Sequence, residues 1–436
     1  MARRLLVKGG CVLSLDRSVG NHPEADVLVE DGIIREIGVG IRARDAEVVD
    51  AADTVVMPGF VDTHRHAWRS LLRNLGGGPD TVDPLLYGGG YTADDAYVAT
   101  LIGLLGAVEA GITTVVDWSD IQVDDAYTEA VLQAHMDSGL RTVLVHADAP
   151  WAPTGGEGFR RMAEGGTAVG PSTTLAFGPQ DPAGVDLERV QTAWGVARDV
   201  GARIHAHVGV TPGERGIAAS LLAKGLLGPD VTLLHATHLD GSDIDAIASS
   251  GAGLALAPTR EMTTGQGAPP LQSLIDRAIR PGLGIGDETE GPGDLFAQMR
   301  AVNSLQHATL FDLKLAGKAG VPNLLSTRDV IRYGTIHGAN AIGLGQVTGS
   351  LAPGKQADMI LLRADRPNIA PINDPIGAVV WGMDTSNVDW VVVAGTPLLR
   401  NGQLMADVTG ARERAEAAQA RVMAAAGLIA AGGGGS

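Results

Sequence analysis

The chain reads as an α/β protein: a (β/α)8 TIM barrel, with a small β-sandwich domain assembled from both termini. Three observations predict this. Apolar, β-type runs at 55–61, 112–117, 141–146, 172–177, 202–208, 231–235, 252–257 and 282–286 alternate with amphipathic stretches such as 94–110, 185–200 and 242–249. Eight such repeats over roughly 290 residues suit a barrel of about 250 residues. Short strand signals with turns cluster at the two ends of the chain instead. Finally, histidines and one aspartate sit at the C-terminal ends of several runs, the face where a barrel gathers its polar groups. An open doubly wound sheet is the rival, but no Gly-X-Gly-X-X-Gly follows the first run.

Taken in order, Arg4-Leu-Leu-Val-Lys-Gly, Cys11-Val-Leu-Ser-Leu, Ala25-Asp-Val-Leu-Val-Glu-Asp-Gly and Ile33-Ile-Arg-Glu-Ile-Gly read as strands. Asp31-Gly32 between alternating runs is a hairpin signal. Ala357-Asp-Met-Ile-Leu-Leu362 and Val388-Asp-Trp-Val-Val-Val-Ala-Gly395 have the same character. The expected division is 1–57 with 347–405 for the small domain, 58–346 for the barrel and 406–430 for a C-terminal helix. Residues 431–436, Gly-Gly-Gly-Gly-Ser at the end, read as a flexible linker remnant. The Gly- and Pro-rich segment 76–90 is long enough for a lid.

Composition narrows the function. With 33 Lys and Arg against 50 Asp and Glu, a formal net charge of -17, the chain lacks the basic clusters that phosphate backbones or anionic membranes require. One cysteine, Cys11, excludes an internal disulfide framework and thiolate metal clusters. No run has membrane length and no targeting segment is visible, so the expectation is a cytoplasmic protein acting on a small molecule. A homodimer or higher homo-oligomer is expected, as is common at this size and fold.

Val55-Val-Met-Pro-Gly-Phe-Val-Asp-Thr-His-Arg-His66 is the chemical centre of the sequence. Positions i and i+2 of a strand point the same way, so His64 and His66 present two imidazoles to one point. The fifth run ends in Arg203-Ile-His-Ala-His207, where His207 lies nearer the rim and His205 in a lower layer. The sixth delivers His235 to the rim, with His238 already in the loop. The eighth ends in Gly284-Ile-Gly-Asp287. His64, His66, His207 and Asp287 are a nitrogen and oxygen set for one divalent ion per chain, zinc first, with iron(II) or manganese as alternatives. Such an ion lowers the pKa of bound water towards about 7. Asp287 would take the remaining proton as general base, and His235 would orient the nucleophile or steady the developing oxyanion.

These residues resemble the metal-dependent amidohydrolase superfamily, in the branch of adenosine-, guanine- and triazine-type deaminases and chlorohydrolases. The matching pieces are Met57-Pro-Gly-Phe-Val-Asp-Thr-His-Arg-His66 with Leu71-Leu-Arg73, Ala110-Gly-Ile-Thr-Thr-Val-Val-Asp117 and Phe177-Gly-Pro179. His207, His235, Asp287 and Gly349-Ser-Leu-Ala-Pro-Gly-Lys-Gln-Ala-Asp-Met-Ile-Leu-Leu362 complete the match. The resemblance implies that His64, His66, His207 and Asp287 hold zinc or iron and that His235 contacts hydroxide or substrate. Members with two metals bridge them through a strand-four lysine. No lysine lies in that run here, which implies one metal.

Two departures stand out against that pattern. Deaminases of the branch carry a glutamate three residues after the strand-five histidine, where this chain has Val210. They also carry a histidine after the strand-four Gly-Pro, where this chain has Gln180. Glu288, Glu290 and His238 are the candidates for a replacement acid, and the two glutamates could instead recognise a cationic substrate. His146 and Trp68 are candidate substrate contacts, with Asp117 supporting the ligand histidines and Arg69 or Arg73 reaching an anionic substituent. The reading is a mononuclear metal hydrolase cleaving a C–N bond of a small cyclic or amidine-like molecule, by deamination or ring opening. A metal-dependent lyase or cyclisation catalyst, or a non-catalytic small-molecule binder, are the alternatives.

Overall fold

The structure is a computed structural model describing residues 4–76, 85–165, 169–180, 182 and 186–426. Eight parallel strands close into a barrel: β1 Phe60–Arg65, β2 Ile112–Gln122, β3 Arg141–Asp148, β4 Thr173–Gly178, β5 Arg203–Val208, β6 Val231–His235, β7 Gly253–Leu256 and β8 Gly282–Leu283. A buried cluster that includes Val61, Val116, Val143, Ala176, Leu234 and Ala255 draws on six of these strands, so the barrel is a packed core and not a channel. Helices occupy the crossovers. The helix Ala93–Glu109 starts on a capping box between Thr92 and Asp95, and Asp125–Ser138 stops at Gly139 in the left-handed region.

The run at 55–61 divides where the sequence reads as continuous. Thr54–Pro58 pairs antiparallel with Met359–Arg363 in the terminal sheet, and only Phe60–Arg65 enters the barrel. Pro58 removes a ladder donor at the break. At Gly59 a Cβ would fall 2.1 Å from the Thr113 side chain, so the chain turns between sheets only with glycine there.

The terminal strands form one nine-stranded sheet contributed by both ends of the chain. Asp358 ties it to the barrel. The Arg141 Nε and Nη2 groups donate to its two carboxylate oxygens at 2.7 and 3.1 Å, and the Ala394 amide donates to it at 2.8 Å. Removing one partner of such a buried pair costs about 3–5 kcal/mol.

The C-terminal helix Val408–Ala425 lies over the segment that follows the histidine pair. Its Ala415, Ala418 and Val422 pack in one cluster with Trp68, Leu71 and Tyr87, and Gln419 donates to the Leu71 carbonyl at 2.9 Å. Residues 77–84 of the segment read as a lid, and the tail 427–436, lie outside the described residues. Among the described residues no helix is long and apolar enough to cross a membrane.

Candidate metal centre and its cavity

At the C-terminal rim, the ligating atoms of His64, His66 and His207 all lie within 4.8 Å of one another. The Nε2 atoms of His64 and His207 are 3.4 Å apart. Two nitrogens at about 2.0–2.1 Å from a tetrahedral zinc are separated by about 3.4 Å, so the spacing fits the ion. Burial first, then repulsion from the neighbouring imidazoles, pushes His64 well below the ordinary imidazole value, and burial followed by the Arg69 charge brings His66 down to about 4, which favours the neutral form that a ligand must have.

Asp120 fixes His66. Its carboxylate accepts from His66 Nδ1 at 2.9 Å, Trp68 Nε1 at 2.6 Å and Arg69 Nη2 at 2.7 Å. The bond to Nδ1 leaves Nε2 of His66 for the ion, the usual second carboxylate behind a ligand imidazole. Burial works against ionisation of Asp120, but Arg69 and His66 outweigh it and hold the carboxyl far below its usual range. Asp117 supports backbone and helix instead of imidazole ligands, accepting from the Ala67 amide at 2.8 Å and from His135 Nε2 at 2.9 Å. The apolar run in the sequence ends at Asp117, whereas β2 continues to Gln122, and Asp120 lies in that continuation.

β8 is stitched to the end of β1. The amides of Ile285 and Gly286 donate to the His64 carbonyl at 2.9 and 2.8 Å, and the His66 amide donates to the Gly286 carbonyl at 2.7 Å. A Cβ at Gly284 would lie 2.7–2.8 Å from His64 backbone and Cβ atoms, so the close approach requires glycine. The stitching brings Asp287 to the same rim, but among the described residues the ligand atoms that lie within 4.8 Å of one another are those of His64, His66 and His207, without the Asp287 carboxylate. That carboxylate is engaged by Arg260 Nη1 at 2.7 Å, Arg69 Nη1 at 3.0 Å and the Thr289 hydroxyl. Burial raises its proton affinity, but Arg260 and Arg69 more than offset this and keep it ionised.

His235 has φ of +82° and Ala236 φ of +78°, a region that residues with a Cβ seldom occupy. This turn sets the His235 ring 5.3 Å from that of His64 and 5.2 Å from that of His207. Nδ1 of His235 donates to Glu261 at 3.0 Å, and the same oxygen accepts the Ala257 amide at 2.9 Å, which turns Nε2 away from Glu261. Glu261 is fully buried, and nothing in its local sequence marked it for this role.

The centre opens into a cavity of about 1340 Å³ bounded by the ends of β2 to β6. Trp118 forms part of its wall, with its ring 4.2 Å from His207. Gln180 lines the cavity and is exposed. The other candidate contacts are placed elsewhere. Trp68 is fully buried, with its indole N–H given to Asp120. His146 packs on Phe159 and borders a separate small pocket beside Asp148 and Thr128. His238 is half-buried, its amide bonded to the Gly209 carbonyl at 2.9 Å, and His205 is fully buried. None of these side chains lines the large cavity.

The acidic run divides as well. Glu288 accepts from Arg65 at 3.0 Å, Arg73 at 2.7 Å and Ser70 at 2.9 Å, an ion-pair network that joins the first crossover to β8. Glu290 lies against Gly76, where a Cβ would fall 2.4 Å from its Cγ, and it too is absent from the cavity wall. A cationic substrate held by these two glutamates is therefore not the arrangement seen. Glu214 does reach the cavity, but it receives the Val210 and Thr211 amides at 3.2 and 2.9 Å and the Thr211 hydroxyl at 2.9 Å.

A closed barrel with an imidazole cluster on its C-terminal rim, joined to a sheet from both termini, defines a class of metal-centred barrel proteins. The chain belongs to the amidohydrolase family, whose model matches residues 55–398. It is similar to 5'-deoxyadenosine deaminase of Methanosarcina mazei, 29% identical over 425 residues, covering 92% of this chain and 94% of that protein. Similarity extends to 5-methylthioadenosine/S-adenosylhomocysteine deaminase of Symbiobacterium thermophilum, 27% identical over 420 residues, 90% and 92% of the two chains. In fold it resembles the zinc-bound adenosine deaminase of Xanthomonas campestris, with a TM-score of 0.81 at 20% identity and coverage of 96% and 98%. The zinc complex of atrazine chlorohydrolase from Arthrobacter aurescens gives a TM-score of 0.81 at 22% identity, covering 95% and 100%.

Proposed function

We propose that this protein hydrolyses a C–N bond of a small cyclic or amidine-like molecule, by deamination or ring opening, with one divalent ion, zinc first. His64, His66 and His207 would hold the ion, with Asp287 as the fourth ligand. When bound, the ion supplies a Lewis acid and a water of lowered pKa. The observation that carries the reading is the histidine triad, with the 3.4 Å spacing between two of its nitrogens, at the mouth of a large cavity.

The side chains divide the remaining work. Asp287, held ionised by Arg69 and Arg260, accepts the proton released as water adds to the substrate carbon. His235, with Nδ1 held by Glu261, turns Nε2 to the reacting atoms, where it orients water or receives a proton. Water ends as the new C–O bond, and the nitrogen leaves as ammonia or as the freed end of an opened ring. Val210 and Gln180 lack the acid and the imidazole that adenine-type deaminases of this branch use. A substrate whose leaving nitrogen needs less help, or brings its own proton, suits this site.

The test is metal analysis joined to a panel of amino-heterocycles and cyclic amides, including 5'-deoxyadenosine, followed by ammonia release and product mass. One metal equivalent per chain, with ammonia or a product heavier by one water, is the expected result. Two equivalents would contradict the mononuclear centre. A product of unchanged or lower mass without ammonia would favour a lyase or cyclisation catalyst.

A further inference from the structure

We infer that the substrate carries an anionic group, a carboxylate or comparable oxyanion on the molecule whose C–N bond is cleaved. This rests on the hydrolytic reading above and specifies its substrate class. Four arginines, Arg69, Arg160, Arg189 and Arg260, line the cavity, and no lysine does. The carboxylates on the same wall have partners already. Asp120 holds His66, Trp68 and Arg69. Asp148 receives the Thr154 amide and hydroxyl, both at 2.7 Å, and the Gly156 amide at 3.2 Å. Glu214 is closed on its own turn, and Glu157 lies 3.9 Å from Arg160.

The cationic side keeps donors in reserve. Arg69 is 5% exposed, and its Nε is buried with no hydrogen-bond partner. Arg189 stands exposed in the first turn of the helix Leu187–Asp199, with no hydrogen bond or ion pair among the described residues. Arg260 leaves 19% of its side chain exposed while Nη1 holds Asp287. Its place is reserved by Gly286, where a Cβ would sit 2.4 Å from Arg260 Cδ. Gln266, whose side-chain oxygen is buried without a partner, faces the same cavity and offers an acceptor to an N–H of the ligand.

The charge count around the reacting atoms points the same way. Two arginines, Arg69 and Arg260, offset Asp120 and Asp287, and Glu261 behind His235 is the remaining buried carboxylate. A bound divalent ion would then leave the locus with a net positive charge. With the arginines absent, the same carboxylates would outweigh the ion. An anionic substituent restores neutrality in a cavity whose walls strengthen the field. Arginine's planar fork suits a two-oxygen anion.

The test uses zinc-loaded full-length protein and two matched pairs of probes: pyrazine-2-carboxylate with pyrazine-2-carboxamide, and adenosine 5'-monophosphate with adenosine. Calorimetry should show at least one anion bound about 10-fold tighter than its neutral partner, the scale of one charge-assisted hydrogen bond. The responding pair distinguishes carboxylate from phosphate. Arg189→Gln, on an exposed helix, and Arg260→Lys, which keeps the charge but loses the fork, should each reduce the preference. Combining Arg189→Gln with Arg260→Gln should bring it to near parity.

Equal binding of both members of both pairs would overturn the inference. So would a preference unchanged in every variant, since the ion alone would then hold the anion. Ammonia and ring-opened product are followed on amino-substituted versions of the same probes. Turnover of neutral compounds with no anion preference removes this inference and leaves hydrolysis standing. An arginine-dependent preference without C–N cleavage supports anion recognition and counts against hydrolysis.

Discussion

The two walls of the cavity are built on opposite plans. On the β1, β2 and β8 side, His64, His66, Asp120 and Asp287 are all buried, and each but His64 has a side-chain partner that fixes its ring or carboxylate. His64 is held through its backbone, by the amides of Ile285 and Gly286, just past β8, on its carbonyl. On the β4 and β5 side, Gln180, Arg189 and Glu214 stand in loops or at a helix start, exposed or half-exposed. On the proposed function, the difference teaches that the metal centre is over-determined by the barrel, whereas recognition falls to segments that can change without disturbing it. The departures from the deaminase pattern, Val210 and Gln180, both lie on the second wall.

The largest effect that would break this comparison is at Asp287. Asp287→Asn should lower turnover by about 10²- to 10⁴-fold or more while the far-UV circular dichroism is unchanged. Wild-type turnover in that variant would place the base elsewhere. A smaller loss is expected one layer back. Asp120→Asn keeps the shape but weakens the hold on His66 Nδ1, and zinc affinity or activity should fall by about 10- to 100-fold, read by competition with a chelator and by steady-state rates. Unchanged values in both would mean that the first wall is not over-determined at that position.

The smallest effect lies outside both walls and asks whether burial alone keeps an imidazole neutral here. Burial is the first cause that lowers His146 and His337, each to about 4, with Arg332 adding to the effect at His337. As pH falls below the ordinary value of 6.5, the unfolded chain takes up these protons before the folded one does. Stability of the metal-free protein should therefore decline as pH drops from 6.5 towards about 4. His146→Gln should flatten part of that decline in melting temperature, and an identical slope would remove His146 from the account.

Much of the barrel was legible because each run of one apolar character is a local property. Each predicted run became a barrel strand, and where one covered two sheets, at 55–61, the dividing signal was Pro58-Gly59. The length of β2 was not legible: beyond Asp117 the strand carries Trp118, Ser119 and Asp120, whose polarity hides a segment buried by its neighbours. Glu288 read as a rim acid because an acidic run is normally solvated. Its partners, Arg65 and Arg73, are 223 and 215 positions away.

By itself the sequence determined the pairing of His64 with His66, since alternation on a strand is a two-residue property, and it placed His207, His235 and Asp287 at later strand ends. Only the tertiary structure decided which carboxylates answer to which cations: Asp120 to His66 and Arg69, Asp287 to Arg69 and Arg260, Glu261 to His235. The physical reason is distance along the chain. Arg69 and Asp287 are 218 residues apart, and the strength of their contact depends on closure of the barrel and on burial, neither of which is a property of any short stretch.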